Sequence, residues 1–146
     1  MDKQNVIIIA GMHRSGTSLT ANLLMKSGLF IGEKLMHYGG KNNGHGFDNK
    51  KGHFEDLEFL DLHQNDLNRK NIDNRGLRHI PEQPLNFDKI SSKMIGQLLK
   101  RRNHLKLWGW KEPRTTLYLQ DWKNYIPECK IIGIYRNYDE VVNSII

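Results

Sequence analysis

The sequence predicts an α/β protein: a three-layer parallel sheet flanked by helices. Three observations carry that expectation. Residues 6–10 form an unbroken, mostly β-branched run, Val-Ile-Ile-Ile-Ala, as in a strand buried on both faces of a parallel sheet. A glycine-bounded turn from Gly11 to Gly16 follows at once and hands over to Leu19, Leu23 and Leu24 at helical spacing. A second apolar run at 130–135 is again followed by a helical pattern, and strands alternating with helices join in parallel through right-handed crossovers.

Each element has its own signal. The helix at 17–27 is set to stop at Gly28. Residues 39–52 hold five of the thirteen glycines among asparagines and lysines, too little apolar surface to order alone, and read as a loop. Phe54, Leu57, Leu60 and Leu67 then take up helical spacing, which ends in the Asn/Asp/Arg-rich stretch 68–76. Pro81 and Pro84 mark a connector within one domain. Asp88 is a helix cap before Ile90, Met94, Ile95, Leu98 and Leu99, and that helix closes on Lys100-Arg101-Arg102, a basic end that suits the dipole and reads as solvated. Residues 105–110 are a short strand, 115–125 a helix before Pro127, and 130–135 a buried strand. Asn137 with Glu140 three residues on resembles a capping box opening a last helix, 138–146.

Composition bounds the reading. At 146 residues, 38% hydrophobic and 26% charged, the chain suits a single domain spanning 1–146. The run at 6–10 is far short of the ~20 apolar residues a membrane helix needs, so no transmembrane segment is expected and the cytoplasm is the expected compartment. Cys129 is the lone cysteine, which excludes an internal disulfide and a Cys-rich zinc site. His37, His45 and His53 lack zinc-ligand spacing, so no metal is expected. Lys and Arg number 22 against 16 Asp and Glu, and the net charge of +6 calls for an anionic partner. Trp108, Trp110 and Trp122 fit core packing better than stacking on a base.

The chemistry sits at strand ends. Gly11-Met12-His13-Arg14-Ser15-Gly16-Thr17-Ser18 has the glycine spacing and terminal hydroxyl of a phosphate-binding loop, with Thr17 where nucleotide hydrolases carry lysine. A strand feeding such a loop into a helix aims backbone N–H groups at an anion, and Arg14 supplies the missing positive charge. At the end of the 130–135 strand stands Arg136, with Ser144 about two turns along the following helix, a pairing suited to a second phosphate. An Arg136 salt bridge to Asp139 or Glu140 is the competing expectation.

Together these segments resemble the sulfotransferases that use 3′-phosphoadenosine 5′-phosphosulfate (PAPS). The 5′-phosphosulfate loop of that family is similar to Gly11–Leu19, and its 3′-phosphate motif to Tyr135-Arg136-Asn137 through Ser144. Gly52-His53-Phe54-Glu55-Asp56 and Trp108-Gly109-Trp110-Lys111-Glu112-Pro113-Arg114 match segments common in its bacterial members, and the likeness spans nearly the whole chain. The resemblance implies a P-loop-like sheet, here incomplete because related chains usually continue past the Arg136–Ser144 motif, so that the chain is expected to be truncated or minimal. It implies PAPS as cosubstrate, 3′,5′-ADP as product and a hydroxyl or amine acceptor. Gly11, His13, Arg14, Ser15, Gly16, Thr17, Ser18, Arg136 and Ser144 would bind the nucleotide, and Arg14 and Lys111 would stabilise the transferred group. Glu55 is the expected base, with Glu33 and His53 as rivals. A kinase-like nucleotide hydrolase and a non-catalytic nucleic-acid module remain as alternatives. The basic residues that matter lie at strand ends and not along one helix face, which argues against nucleic acid.

Overall fold

The computed structural model describes residues 3–36, 52–77 and 84–145. The 39–52 loop as far as residue 51, with His37, His45, Pro81 and Ile146, lies outside them. The described chain forms strand β1 (Asn5–Gly11), helices α1 (Thr17–Lys26), α2 (Leu57–Arg69) and α3 (Lys89–Arg101), strand β2 (Leu107–Lys111), a 3-10 turn (Pro113–Tyr118) running into α4 (Leu119–Tyr125), strand β3 (Lys130–Ile134) and helix α5 (Tyr138–Ile145). The strands make a small open parallel sheet in the order β2-β1-β3. Among the described residues no helix is long and apolar enough to cross a membrane.

Side-chain alternation along β1 sorts the core into two faces. Val6, Ile8 and Ala10 join Trp108 and Trp110 of β2 and pack against Phe59, Leu62, Ile95, Tyr118 and Trp122. That face is covered by α2, α3 and α4. Ile9 turns the other way, to Ala21 of α1 and to Leu29 and Ile31. The result is three layers with β1 at the centre, where Ile8 and Ile9 are fully buried, each stabilising the fold by about 2 kcal/mol through area removed from water. Phe59 stacks on Trp110 with centroids 4.1 Å apart, so the larger face is built from ring on ring.

Helix ends follow the expected chemistry. Asp56 caps α2 by accepting from Glu58 N at 3.0 Å, and Asp88 caps α3 by accepting from Ser91 N at 2.7 Å. Gly28, at φ 101°, turns the chain so that Leu29 N reaches Leu24 O at 3.0 Å. Asp66 is a junction that the sequence hides: Oδ1 accepts from Asp88 N (3.0 Å) and Ser91 Oγ (2.7 Å), and Oδ2 from the Tyr118 hydroxyl (2.7 Å) and the Lys70 ammonium. One carboxylate thereby joins α2, the start of α3 and the 3-10 turn.

Several expectations are corrected. Leu19 and Leu23 are 62% and 57% exposed, and α1 meets the sheet through Thr17 and Ala21, small residues that let the helix lie close. Ile90 and Met94 of α3 are likewise exposed, while Ser91, Ile95 and Leu98 face inward. β3 is not buried on both faces: it is an edge strand with β1 as its one described neighbour, Ile131 is 39% exposed, and the strand ends at Ile134 with Tyr135 in solvent. The helix expected at 115–125 opens as a 3-10 turn two residues earlier, with Pro113 at its start. Arg102 is not a solvated helix end. It is 5% exposed, donates to Asp56 Oδ2 at 2.6 Å and Glu58 Oε2 at 2.8 Å, and lies 5.1 Å from the Phe59 and Trp108 ring centres. Asn137 does cap α5, accepting from Asp139 N at 2.9 Å, but Glu140 turns to Arg136 and leaves the capping box half made.

Gly109 marks the tightest point of the sheet. Its N–H donates to Phe30 O at 2.9 Å on one side, and a Cβ there would collide with the Ile7 carbonyl on the other. Gly133 on β3 has no atom within 4 Å of a Cβ position. Gly109→Ala is expected to cost about 3 kcal/mol in urea unfolding, whereas Gly133→Ala leaves stability within about 0.5 kcal/mol; equal effects would contradict the packing. Asp88 supplies a pH signature. The Arg69 hydrogen bond, helped by Ser91 N and opposed by burial, holds its carboxyl well below the usual range. A folded-state value below the unfolded one gives stability that is present above about pH 4 and lost as pH falls through the unfolded value toward the folded one. Asp88→Asn should therefore flatten the acid limb of a stability–pH curve measured from pH 6 to 2.5.

Candidate functional site

Chain geometry at the end of β1 dictates the site. A Cβ on Gly11 would lie 2.7 Å from Thr17 Cγ2 and 2.8 Å from Ile134 O, so the chain leaves β1 wedged between the start of α1 and the end of β3. The loop then turns through Arg14 (φ 67°) and Gly16 (φ 97°), both left-handed. Ser15 N closes on Met12 O at 3.3 Å, and Ser15 and Thr17 are buried. Unlike α2 and α3, α1 has no side-chain cap, so no capping side chain takes up its first N–H groups.

The two expected phosphate motifs meet. Arg14 Nε donates to Ser144 Oγ at 2.7 Å, a contact spanning 130 residues, and Arg136 Nη1 donates to the Arg14 carbonyl at 3.2 Å. Arg136 also pairs with Glu140 at 2.7 Å, the competing partner. Gly11, Arg14, Ser15, Gly16, Thr17, Ser18, Arg136 and Ser144 thus share one corner at the carboxyl end of the sheet, where open parallel sheets bind ligands.

Behind this corner lies a buried pair. Lys111, last residue of β2, donates to Glu55 Oε1 and to His53 O, both at 3.0 Å, and its side chain is 3% exposed against 7% for Glu55. Ser18 Oγ, on the first turn of α1, donates to the same His53 carbonyl at 3.1 Å. Phe54 makes this convergence possible: its φ of 57°, costly for a bulky residue, turns the His53 carbonyl and the Glu55 carboxylate onto one ammonium. Lys111 accordingly pins segment 53–55 against α1. Glu33 is exposed and has no hydrogen bond or ion pair to these groups.

Next to Lys111 runs a second buried network that sequence reading missed. Trp122 Nε1 donates to His63 Nε2 at 3.0 Å, and His63 Nδ1 lies 2.9 Å from Glu112 Oε2, whose other oxygen accepts from Arg114. An indole only donates, so Nε2 carries no proton and His63 is neutral with its hydrogen on Nδ1. Burial pushes the Glu112 carboxyl up, but the His63 hydrogen bond and the Arg114 guanidinium outweigh it and hold Glu112 low. Arg114 Nε donates to Asn74 O, and His13 Nε2 lies 3.1 Å from Arg75 O, so the loop and the β2 end both grip segment 73–77. Trp108, Trp110 and Trp122 are at most 1% exposed and belong to the core. Among the described residues no group of three His, Cys, Asp or Glu is arranged to hold a metal ion.

Compared with known proteins, the chain matches no family model, no curated protein and no solved structure. Its chemistry therefore rests on its own residues. Removing one partner of a buried ion pair leaves the other without compensation, so Lys111→Met is expected to cost about 3 kcal/mol in denaturant unfolding. Glu55→Gln/Lys111→Met should recover most of that loss, and a double variant no better than the single one would show that the pair is not coupled.

Proposed function

We propose that this domain binds a nucleotide phosphorylated on both its 5′ and 3′ sides and transfers a sulfuryl group from PAPS to a hydroxyl or amine acceptor. The observation that carries the reading is the Arg14–Ser144 hydrogen bond at 2.7 Å, with Arg136 on the Arg14 carbonyl. It brings a loop built for a 5′-phosphate beside the arginine and serine suited to a 3′-phosphate.

The residues divide the work. Loop amides, the first N–H groups of α1 and the Thr17 and Ser18 hydroxyls hold the 5′-phosphate. Arg136 and Ser144 take the 3′-phosphate, with Arg136 released from Glu140 as the anion arrives. In sulfuryl transfer an acceptor oxygen or nitrogen attacks sulfur in line and negative charge builds on the bridging oxygen of the departing 3′,5′-ADP. In this reading Arg14 neutralises that charge. Lys111, held by Glu55 and His53, fixes the wall of the site and, in this reading, acts on the transferred group through position. No metal is required by this scheme. The cytoplasm is the compartment we propose, since Cys129 is buried, free and without a disulfide partner in the chain.

Titration calorimetry tests the proposal. 3′,5′-ADP should bind at least about tenfold more tightly than 5′-AMP, since one charge-assisted phosphate contact is worth about 1.5–3 kcal/mol. Arg136→Ala should erase that preference, and Arg14→Ala should weaken both ligands. Equal affinity of the wild-type protein for the two nucleotides would remove the 3′-phosphate site and the reading with it.

A further inference from the structure

The two expected carboxylate bases are poorly placed for proton transfer. Glu55 is engaged by Lys111 at 3.0 Å within a buried pair, and Glu33 is exposed with no tie to the site. A base must lie beside the transferred group, must be unprotonated at working pH and must keep a lone pair available. His13 is the candidate. It precedes Arg14, the residue proposed to neutralise the leaving nucleotide, in the same loop, and its ring is set among the charges of Arg114, Glu55 and Glu112 at the carboxyl end of β2. Its Nε2 is 3.1 Å from the Arg75 carbonyl. A carbonyl only accepts, so Nε2 carries the proton and Nδ1 is left with an open lone pair. Nδ1 makes no hydrogen bond to any described residue.

We propose that His13 is the general base of the transfer reaction, its Nδ1 taking the acceptor proton while the Arg75 carbonyl fixes its tautomer and orientation. The inference rests on the nucleotide site proposed above. In the step, the acceptor O–H proton passes to Nδ1 as the new O–S bond forms. The S–O bond to the 5′-phosphate breaks, 3′,5′-ADP leaves with the electron pair beside Arg14, and the imidazolium returns its proton to water. The charges facing the ring agree with this role. Burial, then the Arg114 guanidinium at the 3-10 turn, lower the His13 pKa below its ordinary value, while Glu55 before α2, Glu112 after β2 and the Arg75 carbonyl pull it upward by less. The ring is thus neutral at pH 7, and the nearby carboxylates favour the imidazolium formed during transfer.

Because the acceptor is unidentified, water serves as the probe acceptor and 3′,5′-ADP released from PAPS is the readout, alongside calorimetry with 3′,5′-ADP. His13→Gln retains an amide N–H able to meet Arg75 O but accepts no proton. What residue 13 offers the nucleotide is its main-chain N–H, which the substitution keeps, so the variant should bind 3′,5′-ADP and melt as the wild type does, yet release product at least about a hundredfold more slowly. The wild-type rate should rise with pH and level off below the ordinary imidazole pKa, and the variant should lose that limb. Nitrogen-detected imidazole spectra should show His13 as the Nε2–H tautomer at pH 7. Equal release by His13→Gln, an Nδ1–H tautomer, or a wild type that binds 3′,5′-ADP without releasing any from PAPS would each overturn the base assignment and leave the nucleotide site standing. A wild type that does not bind 3′,5′-ADP would overturn both.

Discussion

No side chain fits at Gly11, and the candidate site follows from that exclusion. The position is closed by Thr17 of α1 and by the Ile134 carbonyl of β3, so the loop can leave the sheet only where helix and edge strand converge. β1, buried on both faces, allows no other exit. Arg14, Arg136, Lys111 and Glu55 all lie at the carboxyl edge of the sheet, around that exit. A single close approach thereby sets a loop near the start of the chain against a serine on its last helix.

Around that corner, buried polar groups act as joints. Lys111 ties β2 to segment 53–55, Asp66 ties α2 to α3 and the 3-10 turn, Arg102 ties the end of α3 to the start of α2, and Glu112 joins His63 to Arg114. Each is expensive to desolvate and is offset by opposite charge or hydrogen bonds close by, incompletely at Arg102 Nη1, which is buried without a hydrogen-bond partner among the described residues. Such joints fix orientation more than they add stability, and here they fix what surrounds the loop.

Local signals made part of this legible from the chain. The β-branched run, the glycine turn and the helix stop at Gly28 are contiguous patterns, so β1, the loop and α1 were readable, as was the Asp88 cap. The remainder depends on partners far away in sequence. Arg102 looks like any basic helix end until Asp56, Glu58 and three aromatic rings gather around it. Leu19 and Leu23 keep helical spacing, yet spacing does not say which side of a helix meets a sheet closely enough to demand alanine. The run of β3 reads as interior because its residues are apolar, while its exposure is decided by how many neighbours flank it. At the site, His13 and Glu55 could be nominated from type and place, but the carbonyl that orients one and the ammonium that engages the other come from residues 62 and 56 positions away.

The three tryptophans give the molecule an optical property. All lie in one cluster, with neighbouring rings 5.8 Å and 4.8 Å apart, and none reaches solvent or the loop. Light absorbed by one indole passes readily to the next, so their emission reports on a shared dry interior. Intrinsic fluorescence is thus a gauge of whether the core is assembled and is nearly blind to events at the glycine loop.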